Sequence, residues 1–448
     1  MFIDFMLKVF AANREKDSII WKDRTFTYEW LLERVRYWQD YLQAKETPVG
    51  SVCVIEADFS PNSVALLLAL IDRACIVVPL TASVSEKKDK FLDLAQAEFI
   101  FSVDSNDEIN MQKIQRKAAH EFYTALREKG HPGLILFSSG STGASKAALH
   151  DFVELLEKFQ VRRHAVRMMT FLLYDHIGGV NTMLYALSNA GCIVTVQDRS
   201  PDATLKATQD YGVQLLPTSP TFINLILLSE AYKRYDLSKL ETMTYGTEPM
   251  LESALERIHA ALPHVRLLQT YGLSELGILR SKSKDSTSLW VKIGGEGFQT
   301  KVVDGVLWIK AKSAMLGYLN APSPFDAEGW MNTQDMVEVD GEYCRILGRK
   351  SEIINVGGEK VYPAEVESVL MQLENIKDVS VYGEKNPITG NIVAARVNLF
   401  QPKEITDLKR EVRAYCRGKL APFKVPVKIS VTNEEQYNDR FKKRRIVV

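Results

Sequence analysis

Leu134-Ile135-Leu136-Phe137-Ser138-Ser139-Gly140-Ser141-Thr142-Gly143-Ala144-Ser145-Lys146 runs an apolar segment into small hydroxyl residues and glycines, and closes on a lysine. A short apolar run bounded by glycine and serine reads as a buried strand that ends in a loop. Glycines permit dihedrals and close backbone approaches denied to other residues. Hydroxyls and amides offer donors and Lys146 a positive charge, so the loop suits a polyphosphate. The P-loop pattern GxxxxGK[ST] does not fit, because Lys146 precedes Ala147 and stands too far from Gly143. On composition alone, a hairpin rich in small residues competes with this reading, since glycine and serine also dominate ordinary turns.

Working outward, short β-branched runs alternate with segments of helical periodicity. Ser51–Ala57, Cys75–Pro79, Glu98–Val103, Met168–Leu173 and Cys192–Gln197 read as strands. Ser60–Asp72, Gly179–Leu187 and Thr221–Ser229 read as helices with apolar faces. This alternation predicts layered α/β structure with largely parallel pairing. After about Leu289 the texture changes. Val302–Ile309 reads as a hairpin with an Asp304-Gly305 turn, and Val339-Asp340-Gly341-Glu342 supplies a second turn, as in a small β-subdomain. From Gly348 a third texture follows: strand, Gly-Gly turn, helix Ala364–Leu373, two strands, helix Thr406–Leu420, strand and basic tail. A chain of 448 residues exceeds what one core usually organises. The expected fold class is α/β: a large N-terminal domain over 1–347, with layered α/β subdomains plus the small β-subdomain, then a small α+β C-terminal domain over 348–448.

Charge and cysteine usage narrow the function classes. Lys plus Arg and Asp plus Glu each number 56, so the molecule as a whole has no electrostatic case for nucleic acid or an anionic membrane. The five cysteines are scattered without CxxC or Cys/His spacing, which points to reduced, mostly buried thiols rather than a zinc site or a disulfide framework. Met1–Ala12 is interrupted by Asp4 and Lys8 and does not read as a signal peptide. The longest apolar stretches, such as Val64–Val78, carry Asp72 and Arg73, so no membrane insertion is expected. Cytoplasmic residence is the default expectation.

The ordered loop Ser138-Ser139-Gly140-Ser141-Thr142-Gly143-x-x-Lys146 resembles the phosphate loop of the adenylate-forming superfamily: acyl- and aryl-CoA synthetases, adenylation domains of nonribosomal peptide synthetases, and firefly luciferase. Other family motifs follow in order. Tyr245-Gly246-Thr247-Glu248-Pro249-Met250 resembles the segment whose backbone lines the adenine pocket. Gln269-Thr270-Tyr271-Gly272-Leu273-Ser274-Glu275 resembles YGxTE, in which the ring packs on adenine, the hydroxyl residue contacts phosphate and the glutamate helps hold Mg²⁺. Gly329-Trp330-Met331-Asn332-Thr333-Gln334-Asp335 resembles GWxxTGD, whose aspartate binds the ribose hydroxyls. Gly348–Val361 resembles the domain-hinge motif: Arg349 would also reach the ribose, Ser351 would be the hinge, and Gly357 and Gly358 would line a thiol channel. Arg440-Phe441-Lys442-Lys443-Arg444-Arg445 resembles the C-terminal GKxxR motif, which makes Lys442 the lysine that contacts the forming adenylate.

The resemblance implies ATP-dependent activation of a small carboxylic acid to an acyl-adenylate, release of pyrophosphate, and transfer to a thiol. Two anions must meet at the α-phosphate, so the barrier is largely electrostatic. Lys146 and the hydroxyls of Ser138, Ser139, Ser141 and Thr142 would hold the phosphates. Glu275, being negative, can help only as a metal ligand. Lys442 would bridge carboxylate and phosphate, then withdraw as the mobile C-terminal domain rotates. Asp175-His176-Ile177-Gly178-Gly179 resembles the HxxG segment at the mouth of the acid pocket; His176 is the first candidate there, with Asp175, Thr218, Ser219 and Gly246 as neighbours. An ordinary hydrogen-bonded structural histidine is an equal reading of His176. The stretch Val356–Glu367 is closest to acyl-CoA synthetases, which favours coenzyme A as acceptor. The alternative is the phosphopantetheine of an acyl carrier protein acting in trans, for which the basic stretch Lys419–Lys428 would equally serve. A catalytically silent nucleotide-binding protein is the more distant alternative. Departures from the family pattern, Gln334 before Asp335, Ser351 at the hinge, and Ser145 and Ala147 around Lys146, flank the charged positions without replacing them.

Overall fold

The computed structural model of the chain describes residues 1–139, 145–438 and 440–445. Two seven-stranded sheets carry the first two-thirds. One runs, in spatial order, Gly317–Tyr318, Ser145–Asp151, Gly133–Ser139, Ile76–Leu80, Val52–Glu56, Phe99–Val103 and Ile109–Lys113. The other runs Arg266–Gln269, Thr242–Tyr245, Leu215–Thr218, Arg167–Met169, Cys192–Val194, Asp17–Trp21 and Arg24–Thr27. The inner strands of both sheets are parallel, as the alternation predicts. Antiparallel strands close three of the four edges, the parallel strand Arg266–Gln269 forms the fourth, and the apolar run Gly133–Ser139 pairs antiparallel with Ser145–Asp151. The glycine–serine loop therefore joins two hairpin strands, unlike the strand-to-helix turn of a P-loop.

Period-two alternation decides which face of each strand enters which core. Cys53 and Ile55 face one layer with Leu134 and Leu136, while Val52 and Val54 face the other with Ile135 and Phe137. Between the sheets lies the helix Pro61–Asp72, buried at Pro61 and from Ser63 through Ile71. Ser60 and Ser63 form a reciprocal capping box at its start and Pro61 occupies the first turn, so the entry point is fixed locally. Tyr28–Ala44 and Ile177–Ser188 share that inner layer, and further helices cover the outer faces. The expected strand Met168–Leu173 stops at Met169. Thr170 donates a last bond to Val194, then the chain turns away to deliver Asp175 and His176.

A third sheet of six antiparallel strands follows, built on the predicted hairpins. Asp304 and Gly305 both have positive φ, 53° and 76°, the signature of a two-residue primed turn. Its strand Tyr343–Arg349 still pairs with Met331–Asp340 through Asp335–Arg349, so this sheet ends two residues beyond the expected boundary. The C-terminal unit begins after it: five strands with the helices Pro363–Leu370 and Ile405–Cys416. Its apolar residues continue the cluster on the outer face of the second sheet. All five cysteines are buried and unpaired. Among the described residues no helix is long and apolar enough to cross a membrane.

Candidate active site

Three parallel strands end in register. Thr218 pairs with Tyr245, and Tyr245 with Gln269. Thr218-Ser219, Gly246-Thr247-Glu248 and Thr270-Tyr271 therefore emerge side by side at the carboxyl edge of the sheet, where open α/β sheets bind ligands. Gly246 is required there: a Cβ would stand 2.5 Å from the Thr270 carbonyl oxygen and 2.7 Å from its hydroxyl.

The charged positions converge on this edge. Tyr271, buried, donates its hydroxyl to Asp335 Oδ2 at 2.5 Å, and Arg349 Nε lies 3.5 Å from Asp335 Oδ1 across the strand pair. Burial raises the Asp335 pKa, and Arg349 and the Tyr271 bond pull it back. Glu275 accepts the Tyr318 hydroxyl at 2.5 Å, and the Lys146 ammonium lies 5.0 Å from the centre of the same Tyr318 ring. Ser138 pairs with Lys146 across the hairpin. His150 is buried and neutral, its pKa lowered by burial, with Nε2 2.6 Å from the Ser274 carbonyl, so it fixes the backbone beside Glu275. Gly272 pairs with Ile278 in the short hairpin that carries this segment. Gly140, Ser141, Thr142 and Gly143 lie outside the described residues.

Lys442 arrives from the far end of the chain on a small hairpin. Tyr437 bridges to Lys443, Asn438 N donates to the Lys442 carbonyl, and the Asn438 side chain accepts from Arg440 N and Lys442 N. Lys442 is half-buried. The surrounding protein nevertheless lowers its pKa to about 8: burial is the main cause, Arg440 and Arg349 add to it, and Glu248 and Glu275 oppose it. Glu248 ties the hairpin down, its carboxylate accepting from Thr221 N at 2.8 Å and Lys443 N at 3.0 Å. Lys443 and Arg445 point back into the C-terminal unit. Lys443 pairs with Asp378 at 2.9 Å, and Arg445 with Glu367 at 2.9 Å and Glu352 at 3.1 Å.

The acid-pocket candidates meet this hairpin. His176 caps the helix Ile177–Ser188, accepting from Gly178 N at 3.1 Å. Burial, with Lys442 and Arg440 nearby, holds its pKa well below the ordinary histidine value, so it is neutral. Asp175 accepts from the Thr81 hydroxyl at 3.0 Å and faces Arg440 Nη2 at 3.4 Å. Ser219, fully buried, caps the helix Pro220–Ser229 and donates to the Phe441 carbonyl at 2.7 Å. That hydroxyl thus joins the helix start to the Lys442 hairpin. Thr218 is buried beside it. Gly357 and Gly358 form the turn between Ile354–Val356 and Glu359–Val361 with φ of 60° and 93°. Ser351 lies in the short turn Lys350–Glu352 between the last strand of the six-stranded sheet and the C-terminal unit.

Sequence reasoning missed three contributors. Tyr318 positions Glu275 and lies beside Lys146. The Arg440–Asp175 pair links the tail to the acid-pocket segment. Phe441 stands where the GKxxR pattern has glycine, with φ 51°. The last was detectable as a mismatch in the motif; the first two carry no local signal.

The sequence model of the AMP-binding enzyme family matches residues 8–319, and that of the AMP-binding enzyme C-terminal domain matches residues 365–441. The chain belongs to the AMP-binding enzyme family. It is 27% identical over 330 residues to 4-coumarate–CoA ligase-like 9 of Arabidopsis thaliana, covering 65% of this chain and 58% of that one. It is 27% identical over 331 residues to indoleacetate–CoA ligase of Aromatoleum aromaticum, covering 68% and 64%. The match thus spans 58% to 64% of these curated relatives' length. The fold matches the crystal structure of the anthranilate CoA ligase AuaEII in complex with anthranoyl-AMP, with a TM-score of 0.83 at 17% identity over 99% of this chain and 95% of that one.

Proposed function

We propose that the chain is an AMP-forming acid–thiol ligase. A carboxylate oxygen bonds the α-phosphorus of ATP while the bond to pyrophosphate breaks. A thiol sulfur then bonds the carbonyl carbon, AMP leaves, and the thiol proton passes to solvent. The observation that carries this reading is the docking of the Lys442 hairpin, from the C-terminal unit, on the carboxyl edge of the sheet, where Ser219 donates to the Phe441 carbonyl and Glu248 accepts from Lys443 N. A cation there offsets the repulsion between carboxylate and phosphate, the kind of contact whose loss typically costs on the order of 10²- to 10³-fold in rate.

Asp335 and Arg349 would hold the ribose hydroxyls, Tyr271 would face the adenine, and the backbone of Gly246-Thr247-Glu248 would line its pocket. Lys146 and the loop hydroxyls, Ser138 through Thr142, would hold the departing phosphates. Glu275 would be the carboxylate that meets Mg²⁺. Among the described residues no cluster of three metal-ligating side chains occurs, which fits an ion held by a single carboxylate and substrate phosphates. Mg²⁺ would supply charge neutralisation at those phosphates. His176 and Asp175 would stand at the acid site, and Gly357 and Gly358 beside the entering thiol. A two-domain division near Lys350–Glu352, with Ser351 as pivot, fits the position of that turn.

Relatives named as CoA ligases support coenzyme A as the acceptor. A carrier protein is favoured by one observation: Lys409, Arg410, Arg413 and Arg417 line an open groove along the helix Ile405–Cys416. Unpaired, buried cysteines support a reducing compartment such as the cytoplasm. Acid-dependent ATP–pyrophosphate exchange over fatty, aromatic and amino acids tests the first half-reaction. Transfer of the labelled acyl group to coenzyme A or to carrier proteins tests the second. Absence of exchange with every acid would refute the reading.

A further inference from the structure

The hairpin that carries Lys442 is held from two sides by different kinds of contact. On the C-terminal side stand the ion pairs of Lys443 and Arg445, and the Arg444 carbonyl accepts from Ser380. On the N-terminal side, Lys443 N donates to Glu248, and the side-chain contacts come from the residues just before Lys442. Phe441 packs its ring 5.2 Å from Phe171 and 5.2 Å from Phe222, which themselves lie 4.1 Å apart. Its carbonyl accepts from Ser219, the cap of the Phe222 helix. Arg440 meets Asp175, a carboxylate only 4% exposed whose Oδ1 has no hydrogen-bond partner among the described residues.

Phe441 takes φ 51° in this position. That left-handed region disfavours any side chain with a Cβ, and a bulky one most. An aromatic residue persists there only if its contacts outweigh the strain. The contacts are the two phenylalanines and Tyr437, whose ring stacks 6.0 Å away. That backbone sets the Phe441 ring into the aromatic cleft directly before Lys442.

We propose that Phe441, braced by the Arg440–Asp175 pair, is a positioning residue that seats the Lys442 hairpin on the N-terminal part for acid activation and takes no part in thiol transfer. This rests on the adenylating reading above. Phe441 need not touch the reacting atoms. Because Phe171, Phe222 and Ser219, which meet Phe441, and Asp175, which meets Arg440, all belong to the N-terminal part, withdrawing Lys442 means breaking this seat and the Glu248–Lys443 bond while leaving the C-terminal anchors and the Tyr437 stack intact.

The test uses the full chain and two readouts. In the first, single-turnover adenylate formation from ATP with octanoate or benzoate is compared with thioester formation from the matching supplied acyl-adenylate. Phe441→Ala is expected to slow the former on the order of 10-fold, the loss of two aromatic contacts, with the KM for ATP and the thioester step unchanged. Phe441→Leu, which keeps apolar bulk, should recover most of the rate. The second readout needs no acid: trypsin cleavage after Arg440 in the free protein. Phe441→Ala should be cut faster than the parent, whereas Lys442→Ala, with its ring still seated, should be cut at the parent rate while losing adenylation. Equal losses in both half-reactions, or parent-like cleavage in Phe441→Ala, would overturn the proposal. If the parent chain activates neither these acids nor any acid of the exchange panel, the adenylating reading fails, and the cleavage comparison still decides whether the seat exists.

Discussion

Lys442 should impose an alkaline limb on acid activation that no other step shows. Its ammonium is shifted from 10.5 to about 8, by burial first and by Arg440 and Arg349 next, against Glu248 and Glu275. His176, neutral beside it, adds no charge. A group of that pKa is about nine-tenths cationic at pH 7 and about one-tenth at pH 9. Only the cation can offset the charge at the α-phosphate. The kcat/KM for ATP–pyrophosphate exchange should therefore hold below about pH 8 and fall roughly tenfold per pH unit above it. Bound phosphates favour the proton on Lys442, so the limb in kcat should lie higher than the limb in kcat/KM. The control is Lys442→Arg. A guanidinium stays charged throughout, so this variant should be slower but without the limb. Lys158, also lowered to about 8 by burial, donates to the Ile278 carbonyl and would titrate identically in both proteins. An unchanged limb in Lys442→Arg, or a parent profile flat to about pH 10, would refute the assignment of the shifted amine to catalysis.

Two further outcomes follow from neighbouring contacts. Tyr318→Phe removes the hydroxyl bonded to Glu275 and should raise the Mg²⁺ concentration required for exchange by roughly tenfold, with thermal stability little changed; an unchanged Mg²⁺ titration would count against Glu275 as the metal ligand. Glu367→Gln leaves Arg445 buried with Glu352 as its only carboxylate and should cost about 3 kcal/mol in urea unfolding. Burial would raise the Glu367 pKa, but Arg445 and Lys443 hold it below its ordinary 4.5. The pair's contribution is therefore present above about pH 4.5 and lost as pH falls through the lower folded value, and the variant's stability should be flatter across that window.

Legibility divided along local and non-local lines. The Asp304-Gly305 turn, the Ser60 cap and the alternation at Val52–Glu56 depend on neighbours within a few residues, and the structure keeps them. The strand expected through Leu173 failed because apolar character does not say what a residue packs on. Phe171 leaves the sheet to meet Phe222 and Phe441. The charged positions Lys146, Glu275, Asp335 and Lys442 were readable as motifs. Their orientation was not, because Tyr318 reaches Glu275 across 43 residues and Arg440 reaches Asp175 across 265. Such pairs leave no periodic trace.

The two sets of contacts on the Lys442 hairpin also differ in how readily they part. Toward the C-terminal unit, Arg445 and Glu367 are almost wholly buried and doubly bonded, and breaking such a pair strands a charge in a dry interior. Toward the N-terminal part stand one bond to the Phe441 carbonyl, one from Lys443 N to Glu248, two aromatic contacts, and an ion pair at 3.4 Å whose arginine is 23% exposed. Water can reclaim Arg440 and the Ser219 hydroxyl at small cost, and relaxation of the strained Phe441 offsets part of the lost packing. If the parts separate at Lys350–Glu352, the weaker set yields. Glu352 lies just beyond Ser351 and holds Arg445 at 3.1 Å, so a rotation about Ser351 keeps that pair on the moving side. The hairpin would then leave as a rigid appendage of the C-terminal unit and carry Lys442 out of the cleft with it.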